Sequence, residues 1–370
     1  MTHVFLYGTL RHSGLLEIVL GHVPHDRLKP ARLEGFHVAR AKGHEFPLIV
    51  ERAGTACEGL LLHDVTPQER ARLDHYELGF GYRLRAVDVQ GEEALVYFPD
   101  EGLWEPAEPW SLQEWRTEHW PYVRFAAGEI MSLMGQVDAA EVARRFATIN
   151  QRAHAQALAR GAPQPTDRRS ALHREDVALR RKTPSHFGFF RTDTLKLSHP
   201  LFGGTDSADI EREVFLTGDA ALVLPYDPER DRVLLIEQFR MGPYGRGDLY
   251  PWTLEPIAGR IDPGEEPAAA ARRECFEEAR IELDELLPVA NYYPSPGEVS
   301  SFFHTFVALA DLPETGQGHG GLESENEDIR THVLSFCDSE ALMRSGEINV
   351  GPLLHLLLWL KAERQELRRR

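Results

Sequence analysis

Short apolar runs broken by glycine and proline dominate the first hundred residues. Val4 to Tyr7, LEGFHVAR (33–40), FPLIVER (46–52), GLLLHDV (59–65), YRLRAVDVQ (82–90) and EALVYFP (93–99) each read as a strand. Their number and punctuation predict a small mixed β-barrel or curled sheet. One helical stretch interrupts them. TPQERARLDHYE (66–77) offers Thr66 as N-cap and Glu69 to close a capping box. Helical periodicity returns after Asp138, which caps AAEVARRFATINQRAHAQALAR, predicted as one long amphipathic helix. Trp104, Trp110, Trp115 and Trp120 read as a packing surface.

The pattern then lapses. Gly161 opens a polar, breaker-rich stretch, and HREDVALRRK after it has too few apolar residues for a core, with Pro184 as its end. This predicts a linker over 161–184 between units 1–160 and 185–370. In the second unit, FGFFRTDTLKLSHPLFGG and ADIEREVFLTG read as strands or a hairpin. ALVLPY (221–226) and RVLLIEQFR (232–240) flank the turn DPERD as a clear hairpin. A helix starts at Pro267, a buried strand lies within NYYPSPGEVSSFFHTFVAL, and GQGHGGLESENEDIRTHVLSF is an acidic loop leading into a strand. Two helices close the chain, the second with Leu354, Leu357 and Leu358 facing inward. The expected class is a two-domain α+β chain, its second half an α/β/α sandwich.

Composition narrows the function. At 370 residues the chain holds two cores. A net charge of −17 argues against non-specific nucleic-acid binding. The leucine run at 353–360 is too short to span a membrane, and the start lacks a signal-peptide pattern. Three widely spaced cysteines fit a reducing cytoplasm rather than a disulfide framework or a zinc site.

The densest candidate chemistry lies in GRIDPGEEPAAAARRECFEEARI (259–281). Glu274, Glu277 and Glu278 stand at i, i+3 and i+4, so three carboxylates share one helical face. Their mutual repulsion is naturally offset by a hard divalent cation with oxygen ligands; a merely solvated charged face is the plainer reading of E-x-x-E-E. Arg273 is placed to hold Glu274. The whole string, from Gly259 through Glu265 and Arg273-Glu274 to Ile281, resembles the Nudix box. Cys275 departs from its usual large aliphatic residue and Arg280 from its usual glycine. IEREVF, LLIEQFR, SPG (295–297), SENEDIR and the final helix resemble the ADP-ribose pyrophosphatase branch, nearest its tellurite-resistance subgroup. Carried over, the resemblance implies Mg²⁺, with Mn²⁺ an alternative, on Glu274 and Glu278, helped by Glu277, the Ala258 carbonyl and Glu327. It implies Glu325 as the base that activates water, Arg212, Glu213 and Arg240 as substrate contacts, and Phe189 as an adenine-stacking ring across a swapped homodimer. Ser324 stands where a relative has aspartate. The expected reaction is ADP-ribose to AMP and ribose 5-phosphate; another nucleoside diphosphate derivative stays open.

The first half carries a second pattern. A glycine directly after a strand lets backbone N–H groups approach an anionic ligand, and Glu77 is a poor electrostatic choice for a helix C-terminus. Tyr7-Gly8-Thr9-Leu10, Phe46-Pro47, Gly59, Leu73-Asp74-x-Tyr76-Glu77 and Tyr82 onward, in this order, resemble the gamma-glutamylcyclotransferase-like (AIG2-like) family over about residues 3 to 130. By implication Tyr7, Gly8, Thr9 and Leu10 hold a gamma-glutamyl group, and Glu77 is the general acid/base that releases 5-oxoproline. Thr9 replaces the family's usual serine. A binding domain without turnover is the alternative.

Overall fold

A computed structural model describes residues 2–163, 167–314, 319–321 and 327–369. The chain divides into two compact units, Met1–Ser170 and Ala171–Arg370.

In the first unit the strands are β1 (Val4–Leu6), β2 (Leu28–Ala41), β3 (Pro47–Leu62), β4 (Tyr82–Val89), β5 (Glu92–Pro99) and β6 (Pro106–Pro109). They form one sheet in the order β4-β5-β1-β3-β2-β6. β1 runs parallel to β5 and antiparallel to β3. The path ends at β4 and β6, so among the described residues the expected barrel is an open, half-barrel sheet. The two strands expected at 46–52 and 59–65 are one strand, β3. Its register against β2 jumps from Glu34↔Ala56 to Phe36↔Glu51. Gly54 therefore marks an irregularity inside a hairpin arm, where its φ of 80° suits glycine.

The helices are α1 (Ser13–Leu20), α2 (Pro67–Glu77), α3 (Leu112–Glu118), α4 (Trp120–Ser132), α5 (Ala139–Arg144) and α6 (Phe146–Gly161). The long helix expected after Asp138 is broken at Arg145 into α5 and α6. Asp138 caps α5, accepting from Glu141 N–H at 2.7 Å. β1 is buried on both faces. Val4 and Leu6 pack with Leu15, Leu16, Val19 and Leu73, while Phe5 and Tyr7 pack with Leu33, Ile49, Leu61 and Val96. A strand sandwiched this way reads as a continuous apolar run. Trp115 is in the helical core with Trp110 and Trp120 against it. Trp104 stands apart, edge-on to His44 and Phe46.

The second unit opens with β7 (Ala178–Phe187), β8 (Arg191–Ser198) and β9 (Ile210–Leu216), an antiparallel three-stranded sheet. Residues 178–184, expected in the linker, are therefore strand. Pro184 does not end the stretch: β7 is an edge strand and its register shifts between Pro184 and His186, where a missing N–H is tolerated. The main sheet comprises β10 (Ala220–Asp227), β11 (Arg232–Phe239), β12 (Trp252–Glu255), β13 (Ile257–Arg260), β14 (Glu285–Tyr292), β15 (Phe303–Leu309), β16 (His319–Gly320) and β17 (Ile329–Ser335). Its order is β14-β15-β10-β11-β17-β16, with β12 on β11 and β13 on β10. The helices are α7 (Met241–Arg246), α8 (Pro267–Ala279), α9 (Phe336–Ser345) and α10 (Gly351–Leu367).

Helix α8 covers one face of this sheet through Ala270, Ala271, Cys275 and Ala279 against Leu234, Ile236, Ile257 and Ile261. The other face packs Leu224, Val233, Leu235 and Val307 on Phe336 and α10. The inward stripe of α10 is Leu353, Leu356, Leu357 and Leu360; Leu358, expected inward, is 58% exposed.

Candidate functional site

The strand β13 leads through a short loop into α8, with Pro267 in the first turn and the Asp262 N–H donating to Glu265. Seating α8 on the sheet through its alanines and Cys275 turns Glu274 and Glu278 toward β13. Glu278 is 2% exposed. Its Oε2 accepts from the Ala258 N–H at 3.4 Å. Gly259 is needed for close approach: a Cβ there would lie 1.8 Å from Glu274 Oε1. Cys275 fills the slot of a large aliphatic residue as a small buried hydrophobe.

Burial of acids on one face has electrostatic consequences. Burial pushes Glu274 up to about 7, opposed by Arg273 and reinforced by Glu277 and Glu327. Glu278 is pushed well above the ordinary carboxylate range by burial, then by Glu274 and Glu327. Glu327 thus sits within electrostatic reach of both. Arg273 is the clamp. It donates to Glu265 (3.0 and 2.9 Å), Glu274 (2.7 Å), Glu277 (3.0 Å) and the Arg260 carbonyl (3.0 Å). Four bonds to three carboxylates leave this guanidinium fully charged. A set of oxygen donors with raised proton affinity fits a hard divalent cation, because the cation replaces the protons the burial would otherwise impose.

Arg240 faces the same site from the end of β11. It makes a bidentate pair with Glu255 at 2.9 and 2.7 Å. Burial disfavours its charge, but Glu255, Glu278 and Glu327 more than offset this. Thr253 donates to Glu255 at 2.6 Å and fixes it. The sequence singled out Arg240 and missed Glu255; the glutamate two residues before Ile257 was its only local signal.

The remaining expected residues are placed differently. Arg212 and Glu213 are exposed on β9. Phe189 is 61% exposed between β7 and β8 and packs edge-on against Phe190. No described contact within the chain joins these three to the carboxylates. Glu325 and Ser324 lie outside the described residues.

In the first unit, β1 delivers Tyr7, Gly8 and then a 3₁₀ turn over Thr9–Arg11. A Cβ on Gly8 would meet Pro47 Cγ at 2.6 Å, so glycine lets the chain pass the Phe46-Pro47 loop. Leu10 is buried in the core. Glu77 is the last residue of α2 and caps nothing with its side chain. Burial pushes it up to about 7. Tyr7, Tyr76, Tyr82 and Tyr97 all feel its charge. Tyr82 donates to the Pro47 carbonyl at 3.2 Å, which ties the Glu77 surroundings to the Gly8 loop. An acid in an aromatic cage with a pKa near neutrality suits proton transfer in either direction.

One other cluster holds ligand-type atoms. His3, His63 and Glu92 group at the opposite end of β1. His3 Nδ1 accepts the Asp64 N–H at 3.1 Å, which leaves the proton of the neutral ring on Nε2, the atom that faces Glu92. His3 Nε2 lies 3.8 Å from Glu92 Oε2, and His63 Nδ1 lies 3.3 Å from it.

A loop and helix thus gather Glu274, Glu277 and Glu278 beside a sheet, with Arg240 held opposite them. Residues 216–354 match the family described as NUDIX domain, and residues 4–120 match Gamma-glutamyl cyclotransferase, AIG2-like. The chain belongs to the Nudix family of hydrolases and carries an AIG2-like domain ahead of its Nudix domain. It is 38% identical over 195 residues to the ADP-ribose pyrophosphatase of Escherichia coli K12, spanning 53% of this chain and 92% of that one. It is 34% identical over 189 residues to the ADP-ribose pyrophosphatase of Haemophilus influenzae, spanning 50% and 87%. It is 34% identical over 150 residues to the GDP-mannose pyrophosphatase of Citrobacter koseri, spanning 40% and 77%.

Proposed function

We propose that the Nudix unit hydrolyses ADP-ribose to AMP and ribose 5-phosphate with Mg²⁺, for which Mn²⁺ can substitute. The observation that carries this reading is the pair Glu274 and Glu278, part-buried and buried on one face of α8 with raised proton affinities, opposite an Arg240 already fixed by Glu255. The relatives named ADP-ribose pyrophosphatase support the substrate. Glu274, Glu278 and Glu327 would hold the metal, with Glu277 and the Ala258 carbonyl assisting. When bound, the metal neutralises the diphosphate and readies water for attack. The chain's own residues do the rest. Arg240 binds an anionic oxygen, Arg273 holds Glu274 and Glu277 in place, and Glu325 takes the proton from the attacking water. Arg212 and Glu213 contact the substrate, and Phe189 stacks on its adenine across a homodimer built through this unit, in the cytoplasm.

In the AIG2-like unit, the backbone at Tyr7, Gly8, Thr9 and Leu10 holds a gamma-glutamyl group. Glu77 moves a proton as the substrate's own amine closes on its gamma-carbonyl. Ring closure gains most of its rate from proximity, so one well-placed carboxyl suffices. The product is 5-oxoproline.

Product analysis with a panel of nucleoside diphosphate sugars, with Mg²⁺ or with chelator, tests the substrate. AMP and ribose 5-phosphate from ADP-ribose, lost on chelation, are expected. Preference for a guanosine compound would favour the second reading, which the GDP-mannose pyrophosphatase relative motivates.

A further inference from the structure

The α8 face of β11 carries a residue that neither the metal nor the arginine accounts for. Along this face the strand runs Leu234, Ile236, Gln238 and then Arg240, since side chains alternate. Leu234 and Ile236 are core under α8. Gln238 is the step between that core and the Arg240–Glu255 pair. It is 6% exposed, and among the described residues its Nε2 has no hydrogen-bond partner. A buried amide N–H without an acceptor is disfavoured, and natural sites keep such groups when a ligand completes them.

The described neighbours are bonded elsewhere. Gln238 pairs directly with Thr253 on β12. Thr253 donates to Glu255, and Glu255 accepts twice from Arg240, so these groups bond to one another. On the other side, β17 sets Thr331 opposite Ile236. Thr331 Oγ1 is a second buried group without a partner, one step deeper. A row of polar groups beside the carboxylates therefore ends in an N–H donor with no acceptor among the described residues.

Resting on the diphosphate reading above, we propose that Gln238 donates its amide N–H to a non-bridging phosphate oxygen of the bound nucleoside diphosphate. An anionic oxygen is the acceptor that best rewards a neutral donor held in a dry site. It also lies where Arg240, two residues along the same face, directs anions. Gln238 then reads the diphosphate common to all such substrates, not the sugar beyond it.

The test is calorimetric binding of ADP-ribose and of ADP to the intact protein, wild type and Gln238→Met, with apo thermal melts alongside. Methionine keeps the shape and removes the unpartnered N–H. Both ligands are expected to weaken by roughly ten- to hundredfold, while the apo melting temperature holds or rises. A lowered melting temperature with unchanged affinity would make Gln238 a structural amide and overturn the proposal. Weakening of ADP-ribose alone would overturn the diphosphate contact in favour of the terminal sugar. If Gln238→Met does not fold, Gln238→Leu is read in the same way, and misfolding of both counts as the structural outcome. Wild-type protein that binds neither ligand would overturn the diphosphate reading itself, whatever the variants do.

Discussion

Arg280 shows how one side chain can sit against its backbone. It ends α8 at φ 56°, ψ 34°, in the left-handed region that favours glycine. Its N–H bonds back to Cys275 and Phe276, and its guanidinium lies 5.2 Å from the Phe276 ring. The ring contact recovers part of the strain. Arg280→Gly is expected to stabilise the protein by about 0.5–1 kcal/mol, read as a rise in melting temperature; a fall would show that the ring contact outweighs the strain. Glu77 carries a cost of a different kind. Its pKa is raised to about 7 by burial. A raised carboxyl favours the folded state fully below its unfolded pKa, and that contribution is lost as pH rises through about 7. Glu77→Gln is therefore expected to raise stability at pH 8, by up to about 3 kcal/mol, and to change little at pH 4. Equal shifts at both pH values in denaturant titrations would refute the burial. If the unit releases 5-oxoproline as proposed, Glu77 gives that activity a limb near pH 7, and Glu77→Gln removes the activity.

At the scale of elements, some structure was legible because its cause is local. Thr66 and Glu69 lie three residues apart, and both halves of their capping box are present. Glu69 is held down to about 2, chiefly by its bond from Arg27. Its contribution is present above the ordinary carboxylate pKa and fades as pH falls toward about 2. Thr66→Ala is expected to cost about 1 kcal/mol in denaturant unfolding at pH 7; no loss would mean that Arg27 alone positions Glu69. The carboxylate face of α8 was legible for the same reason, since helical spacing alone sets it. The Arg240–Glu255 pair was not: its members are fifteen residues apart on two strands, and only the β11–β12 register joins them. β7 was misread because an edge strand with charges on both faces shows no alternation. Leu358 was misread because α10 buries a stripe one position over from the one chosen, and a run of leucines does not say which of them faces the sheet.

Over the whole molecule, a Nudix domain and an AIG2-like domain share one chain. Each holds acids whose proton affinity is raised by desolvation. Glu77 stands alone in an aromatic cage, where a proton is the natural partner. Glu274 and Glu278 stand together, where a divalent cation is. Inactivating one acid should leave the other unit working. The direct measurement is AMP release from ADP-ribose with Mg²⁺ by the full-length protein, its Glu278→Gln variant and its Glu77→Gln variant. Release by wild type and by Glu77→Gln at equal rates, with a loss of at least about a hundredfold in Glu278→Gln, is the expected result. Full activity in Glu278→Gln would contradict the assignment of α8 as the metal-holding helix, and with it the proposed function.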